Sequence, residues 1–171
     1  MAIATGSLII KINETLSLNG MDHGGSVTHT IGSIGEVHKR IVTIPVNDGS
    51  IGADDQYSVV TTTDDTTTTV GSGSFISTTI KYIRISNLMN GAGEGVHVYI
   101  SRDDNNDGTA DETAVFLLEE GKSFILWGAD ACFDAAAGGI AAATLDGISD
   151  IKLVNESAST AADVEVFVAS T

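Results

Sequence analysis

The chain has 171 residues and a mass of 17.6 kDa, enough to bury a core without disulfides, and one domain is the expectation at this length. Its 23 acidic against 8 basic side chains leave a net charge of −15, which excludes a general nucleic-acid binder, because such binding rests on Lys and Arg neutralising phosphates. Hydrophobic residues at 42% and charged residues at 18% exclude a disordered acidic tail, and the single Pro excludes a polyproline-type segment.

In chain order, Met1-Ala2-Ile3-Ala4-Thr5-Gly6 carries neither a basic stretch nor a long apolar run, so no signal peptide or membrane anchor is expected. Residues 1–6 read as a short N-terminal arm suited to lie across a neighbour or extend an edge strand, and residues 7–171 as a single domain. Residues 7–12 and 36–46 are rich in β-branched side chains and bounded by Gly or Asn/Asp, the pattern of strands. Further strands are expected at 56–62, 80–86, 96–101, 114–118, 123–127, 149–154 and 164–169, about nine in all. The Thr/Asp/Gly/Ser segment 61–74 reads as exposed hairpin or loop. Residues 130–145 hold enough Ala for a helix, but Gly138-Gly139 interrupts them at a cost of about 1 kcal/mol per glycine. They read as a long Ala/Gly-rich loop.

The fold class that follows is all-β, an antiparallel, jelly-roll-like sandwich. An internal repeat supports it. Ile83-Arg84-Ile85-Ser86-Asn87, then Val96-His97-Val98-Tyr99-Ile100-Ser101, matches Ile151-Lys152-Leu153-Val154-Asn155, then Val164-Glu165-Val166-Phe167-Val168-Ala169, at the same spacing. The alternation predicts one amphipathic hairpin used twice, with Ile83, Ile85, Val96, Val98 and Ile100 buried and Arg84 and His97 outward. Two sheets packed face to face cover both greasy sides.

The sharpest chemical motif is 103–112. Asp103, Asn105, Asp107 and Asp111 fill positions 1, 3, 5 and 9 of a Ca²⁺ loop, Gly108 sits at the turn, and Thr109 offers its backbone carbonyl. This segment resembles the Ca²⁺ loops of EF-hand, dockerin and thrombospondin type 3 repeats over about ten residues, with Ala114 where an EF-hand has a bidentate Glu and with Glu112 two places early. An acidic hairpin tip turning at Asp107-Gly108 is the competing reading.

Other fragments carry less. Cys132 is the only cysteine, which rules out an intramolecular disulfide or a multi-thiolate zinc site and reads as a small core residue. His23, His29, His38 and His97 lack metal-ligand spacing. Gly91-Ala92-Gly93-Glu94-Gly95 lacks the Lys-Ser/Thr ending of a phosphate loop and reads as a hairpin loop, and Gly71-Ser72-Gly73-Ser74 is no nucleophile elbow. Asp22-His23 is too local for a catalytic dyad, and Glu119-Glu120 reads as a solvated turn. Asn13-Glu14-Thr15 and Asn155-Glu156-Ser157 match a glycosylation acceptor by coincidence when no secretory signal accompanies them. No catalytic constellation emerges, and the chain reads as a non-enzyme.

The strand texture of 80–127, with Ile85-Ser86-Asn87-Leu88 closing one strand and Leu118-Glu119-Glu120-Gly121-Lys122-Ser123-Phe124 opening an edge, resembles small β-sandwich virion proteins of tailed bacteriophages. The resemblance implies a head decoration (cement) protein, or a tail or fibre component, whose partners are the major capsid protein or other virion proteins. A homo-oligomer is expected, a trimer favoured, and the acidic charge and the lack of an anchor segment lead to no expected nucleic-acid or membrane partner. A charge of −15 is repelled by packaged DNA, which places the chain on the outer surface of the head. A secreted Ca²⁺-dependent carbohydrate-binding or adhesion module is the alternative. Against it stands an aromatic content of 5%, with Trp127, Tyr99 and Phe124 the only candidate stacking residues.

Overall fold

The computed structural model describes residues 5–47, 49, 56–61, 75–76, 79–102, 112–127 and 148–171. Among them are thirteen strands and no helix. In chain order they are β1 (Gly6–Glu14), β2 (Ser17–Leu18), β3 (Met21–Asp22), β4 (Gly25–Ile34), β5 (Glu36–Ile44), β6 (Gln56–Thr61) and β7 (Phe75–Ile76). Then come β8 (Ile80–Asn87), β9 (Val96–Arg102), β10 (Glu112–Leu118), β11 (Ser123–Trp127), β12 (Asp150–Asn155) and β13 (Ala162–Ser170). All nine expected strands are present, and β2, β3, β4 and β7 are additional.

β4 escapes sequence reading because Gly25-Ser26-Val27-Thr28 looks like loop composition. What makes it a strand is the turn before it. Asn19 and Gly20 both take positive φ (53° and 76°), the twist a two-residue hairpin requires, and they fold the chain back so that Leu18 faces Met21. β4 then runs antiparallel to β1 from Glu14↔Gly25 to Gly6↔Ile34, as a ribbon outside both large sheets.

The sandwich consists of a four-stranded sheet in the order β11-β8-β13-β5 and a five-stranded sheet in the order β10-β9-β12-β6-β7. Apart from the parallel β6·β7 contact, the pairings are antiparallel. Leaving out β7 and counting the other eight strands from β5 to β13, the sheets read 6-3-8-1 and 5-4-7-2, the jelly-roll arrangement. Ile83, Ile85, Val164, Val166 and Val168 of one sheet meet Val96, Val98, Ile100, Ile151 and Leu153 of the other, all buried. Each such side chain contributes about 1.5–3 kcal/mol by leaving water.

The repeat is real in three dimensions, but not as a hairpin. β8 and β9 lie in different sheets, as do β12 and β13, and the pairs formed are β8·β13 and β9·β12. The registers correspond residue by residue. Ile85↔Val166 matches Leu153↔Val98, Arg84↔Phe167 matches Lys152↔Tyr99, and Asn87↔Val164 matches Asn155↔Val96. The same exchange carries β5 into β10 and β6 into β11, and reverses one sheet order into the other. Alternation alone cannot separate a hairpin from a crossover. The linkers 88–95 and 156–161 exceed a tight turn and span the roughly 10 Å between facing sheets.

The expected hairpin loop at Gly91 to Gly95 is therefore an inter-sheet crossover. It is held by Gly91 N–H to Glu94 Oε2 (2.8 Å) and Glu94 N–H to Glu120 Oε1 (2.9 Å). The metal-loop residues Asp103, Asn105, Asp107, Thr109 and Asp111 lie outside the described residues, as do residues 1–4, segment 130–145 with Cys132, and most of 61–74.

Candidate functional site

The ribbon β1/β4 is attached at its base. Leu8, Ile10, Ile12, Ile31 and Ile34 pack on Tyr82, Trp127, Phe167 and Ala169, which lie on the outer face of the four-stranded sheet. His29 lies 5.5 Å from the Trp127 ring. Ile9 and Val27 within the ribbon, and Leu16, Leu18 and Met21 at its tip, are exposed, Met21 to 62%. An isolated two-stranded ribbon is marginal in water, and this one gains its support from the sheet face it packs on while leaving these apolar side chains at the surface.

Charge divides along the same line. Lys11, Lys39 and Arg40 offset Glu14, Asp22 and Glu36, so the first 44 residues are neutral and residues 45–171 hold the whole −15. The neutral part comprises the ribbon and β5, which adds exposed Val37 and Ile41. Composition taken over the whole chain hides this division; a running count of charge reveals it.

Two features mark the outer face of the four-stranded sheet above the ribbon. Glu165 sits between Lys39 Nζ (2.9 Å) and the Arg84 guanidinium, and the Lys39 hydrogen bond, with help from Arg84, holds its carboxyl below the ordinary glutamate range against the opposing effect of burial. Arg84 also stacks over the Phe167 ring at 5.5 Å. Between the sheets, at the β5 and β6 side, Arg40 lies 5.1 Å from the Phe75 ring and 5.5 Å from that of Tyr57. These contacts brace the neutral side.

The outer face of the five-stranded sheet carries a shallow depression of about 270 Å³ lined by Gln56, Tyr99, Ser101, Thr113, Lys152 and Val154. Three of its polar side chains, Ser101, Thr113 and Lys152, are partnered. Ser101 and Thr113 hydroxyls bond each other (3.0 Å), Lys152 pairs with Asp150, and Ser58 donates to Asp150 (3.4 Å). Burial raises the Asp150 pKa, partly countered by Lys152. Among the described residues that line it, no nucleophile is paired with a base. Tyr99 is half-buried beside the depression, whereas Phe124 packs against the core and Trp127 against the ribbon base.

The remaining candidates resolve locally. Asp22 Oδ1 accepts the Gly24 N–H (2.8 Å) and His23 N–H goes to the Leu16 carbonyl (2.8 Å), so this pair shapes the bend into β4. Asn155 is fully buried and bonded to Ser157, Thr160 and Ile44, a setting no glycan can enter. Glu119 and Glu120 form the turn before β11, where Gly121 takes φ 69°. Among the described residues, no three His, Cys, Asp or Glu side chains cluster as metal ligands.

No protein-family model, curated protein or solved structure matches the chain.

Proposed function

We propose that this chain is a non-enzymatic structural protein of a tailed-phage virion, a decoration protein on the outside of the head that stabilises the shell by bridging capsid subunits. The observation that carries the reading is the charge division. A neutral ribbon and β5 present Ile9, Leu18, Met21, Val27, Val37 and Ile41, while the rest of the chain holds a charge of −15. The neutral side is suited to mate with protein, and the acidic side faces solvent, away from packaged DNA that would repel it. The resemblance of 80–127 to small virion sandwiches supplies the assembly. Many modest contacts repeated over a shell resist internal pressure through multivalency. Within this reading, Ca²⁺ held by Asp103, Asn105, Asp107, Thr109 and Asp111 stiffens one loop.

The test is quantitative mass spectrometry and antibody-gold labelling of phage particles purified from the natural source. Hundreds of copies with label on the head are expected. A few copies with label on the tail replace this reading by a tail or fibre component, and absence from particles overturns it. The Tyr99 depression favours one other reading, a carbohydrate-binding module, for which glycan binding lost in Tyr99→Ala would be the signature.

A further inference from the structure

Among the described residues, the five-stranded sheet ends at β10, and past Glu112 this edge strand carries no charge. β10, Glu-Thr-Ala-Val-Phe-Leu-Leu, contains no Lys and no Pro, and Val115, Phe116 and Leu117 are exposed in succession, to 49%, 42% and 50%. Proteins normally break such an edge with a charge or a proline, and three consecutive exposed apolar residues are a fault unless something covers them. The edge of the other sheet at β5 shows the contrast, since Lys39 and Arg40 punctuate it. The same chain also has the β1/β4 ribbon, whose two strands of nine and ten residues each pair on one side only among the described residues. β10 has seven residues, so a ribbon strand spans it fully.

We propose that the open edge of β10 receives the β1/β4 ribbon of a second copy of this chain, so that copies join head to tail. The inference rests on the assembly reading above and adds its partner and its geometry. Strand addition pairs the free backbone groups of both edges, and Val115 and Leu117 gain apolar neighbours from the ribbon. Electrostatics selects the ribbon as the occupant. Two copies meeting β10 to β10 would bring two chains of −15 together edge to edge, whereas the ribbon is part of the neutral 44 residues and separates the acidic parts. Donor and acceptor are different surfaces of one chain, so the contact is heterologous and a closing rotation produces a ring.

The test uses the full chain in two variants, edge-blocked Val115→Lys/Leu117→Lys and ribbon-blocked Ile9→Lys/Val27→Lys, measured by native mass spectrometry and sedimentation, with circular dichroism to show that each is folded. The wild type is expected to oligomerise, and each variant alone to be monomeric with self-association weakened at least about tenfold. An equimolar mixture is expected to stop at a dimer of one copy of each, because only one ribbon and one edge remain competent. A measurement without substitution runs in parallel: hydrogen exchange of β10 amides in the wild type slows as protein concentration rises. A wild-type chain that is monomeric at about 1 mM with concentration-independent exchange overturns the inference, as does a mixture that forms no heterodimer from folded variants. Particle binding by such a monomer would leave the virion reading standing, and oligomers without particle association would remove that reading and keep the ribbon contact.

Discussion

Asn87 and Asn155 occupy equivalent corners of the two halves of the sandwich and hold them with the same three hydrogen bonds. Asn87 Oδ1 accepts from Met89 N–H (3.0 Å), while its Nδ2 donates to the carbonyls of Glu94 (2.9 Å) and Leu118 (3.1 Å). Asn155 Oδ1 accepts from Ser157 N–H (2.9 Å), while its Nδ2 donates to Thr160 (2.7 Å) and Ile44 (3.5 Å). In each case one bond shapes the first turn of the crossover, one ties its far side, and one pins the end of a neighbouring strand. Replacing either residue by Ala leaves buried backbone groups unpaired. Each substitution is expected to cost about 1–3 kcal/mol in a denaturant titration, with the two costs similar; a neutral result at either corner would contradict this account.

Gly24 tests the ribbon separately. A Cβ there would lie 2.2 Å from the Glu14 carbonyl oxygen, so Gly24→Ala must push β4 away from β1. Loss of hydrogen-exchange protection is expected across β1 and β4, with protection retained in β8, β9, β12 and β13, because the two cores are distinct. Equal loss in the sandwich would show that ribbon and sandwich unfold as one unit.

Glu165 gives a pH dependence of definite sign. Its carboxyl is held below the ordinary range by Lys39 and Arg84, so its contribution is present at neutral pH and disappears as pH falls through the lowered value. Glu165→Gln is expected to reduce stability by about 1 kcal/mol or less at pH 7, the size of a pair whose cations reach solvent, and to flatten the acid limb of a melting-temperature profile. An unchanged acid limb would remove Glu165 from the account.

Asp150 runs the other way. Burial raises its pKa, so the folded state favours the protonated form, and the stability this brings at low pH is lost as pH rises through the raised value. Asp150→Asn is expected to hold or raise the melting temperature at pH 7, since it removes a partly buried charge and leaves Lys152 half-exposed. A clear fall would mean that the pair with Lys152 outweighs burial.

The acidic loop is tested by metal rather than by pH. Under the Ca²⁺ proposal, millimolar Ca²⁺ raises the melting temperature relative to chelator, and Asp107→Ala abolishes the rise. A response that survives the substitution would exclude the loop as its source.

Sequence alone settled the layer architecture and most of the core, because the period of two in Ile83-Arg84-Ile85 and Val96-His97-Val98 admits one solution for burial, and Asn/Gly boundaries mark where strands end. It also revealed the repeat, since matched strands keep matched spacing. It could not tell which strands pair. Alternation is identical whether β8 and β9 form a hairpin or cross between sheets, and only the packing of two sheets over a shared core decides that β8 joins β13 and β9 joins β12. The ribbon was hidden for a related reason. Gly25-Ser26-Val27-Thr28 has no strand composition of its own and becomes a strand because Asn19-Gly20 turns it onto β1, although that Asn-Gly pair is a hairpin signal legible in the sequence. The exposed run at Val115, Phe116 and Leu117 reads as an ordinary buried strand until the sheet order places β10 at an edge. Exposure is a property of neighbours, and tertiary structure assigns the neighbours.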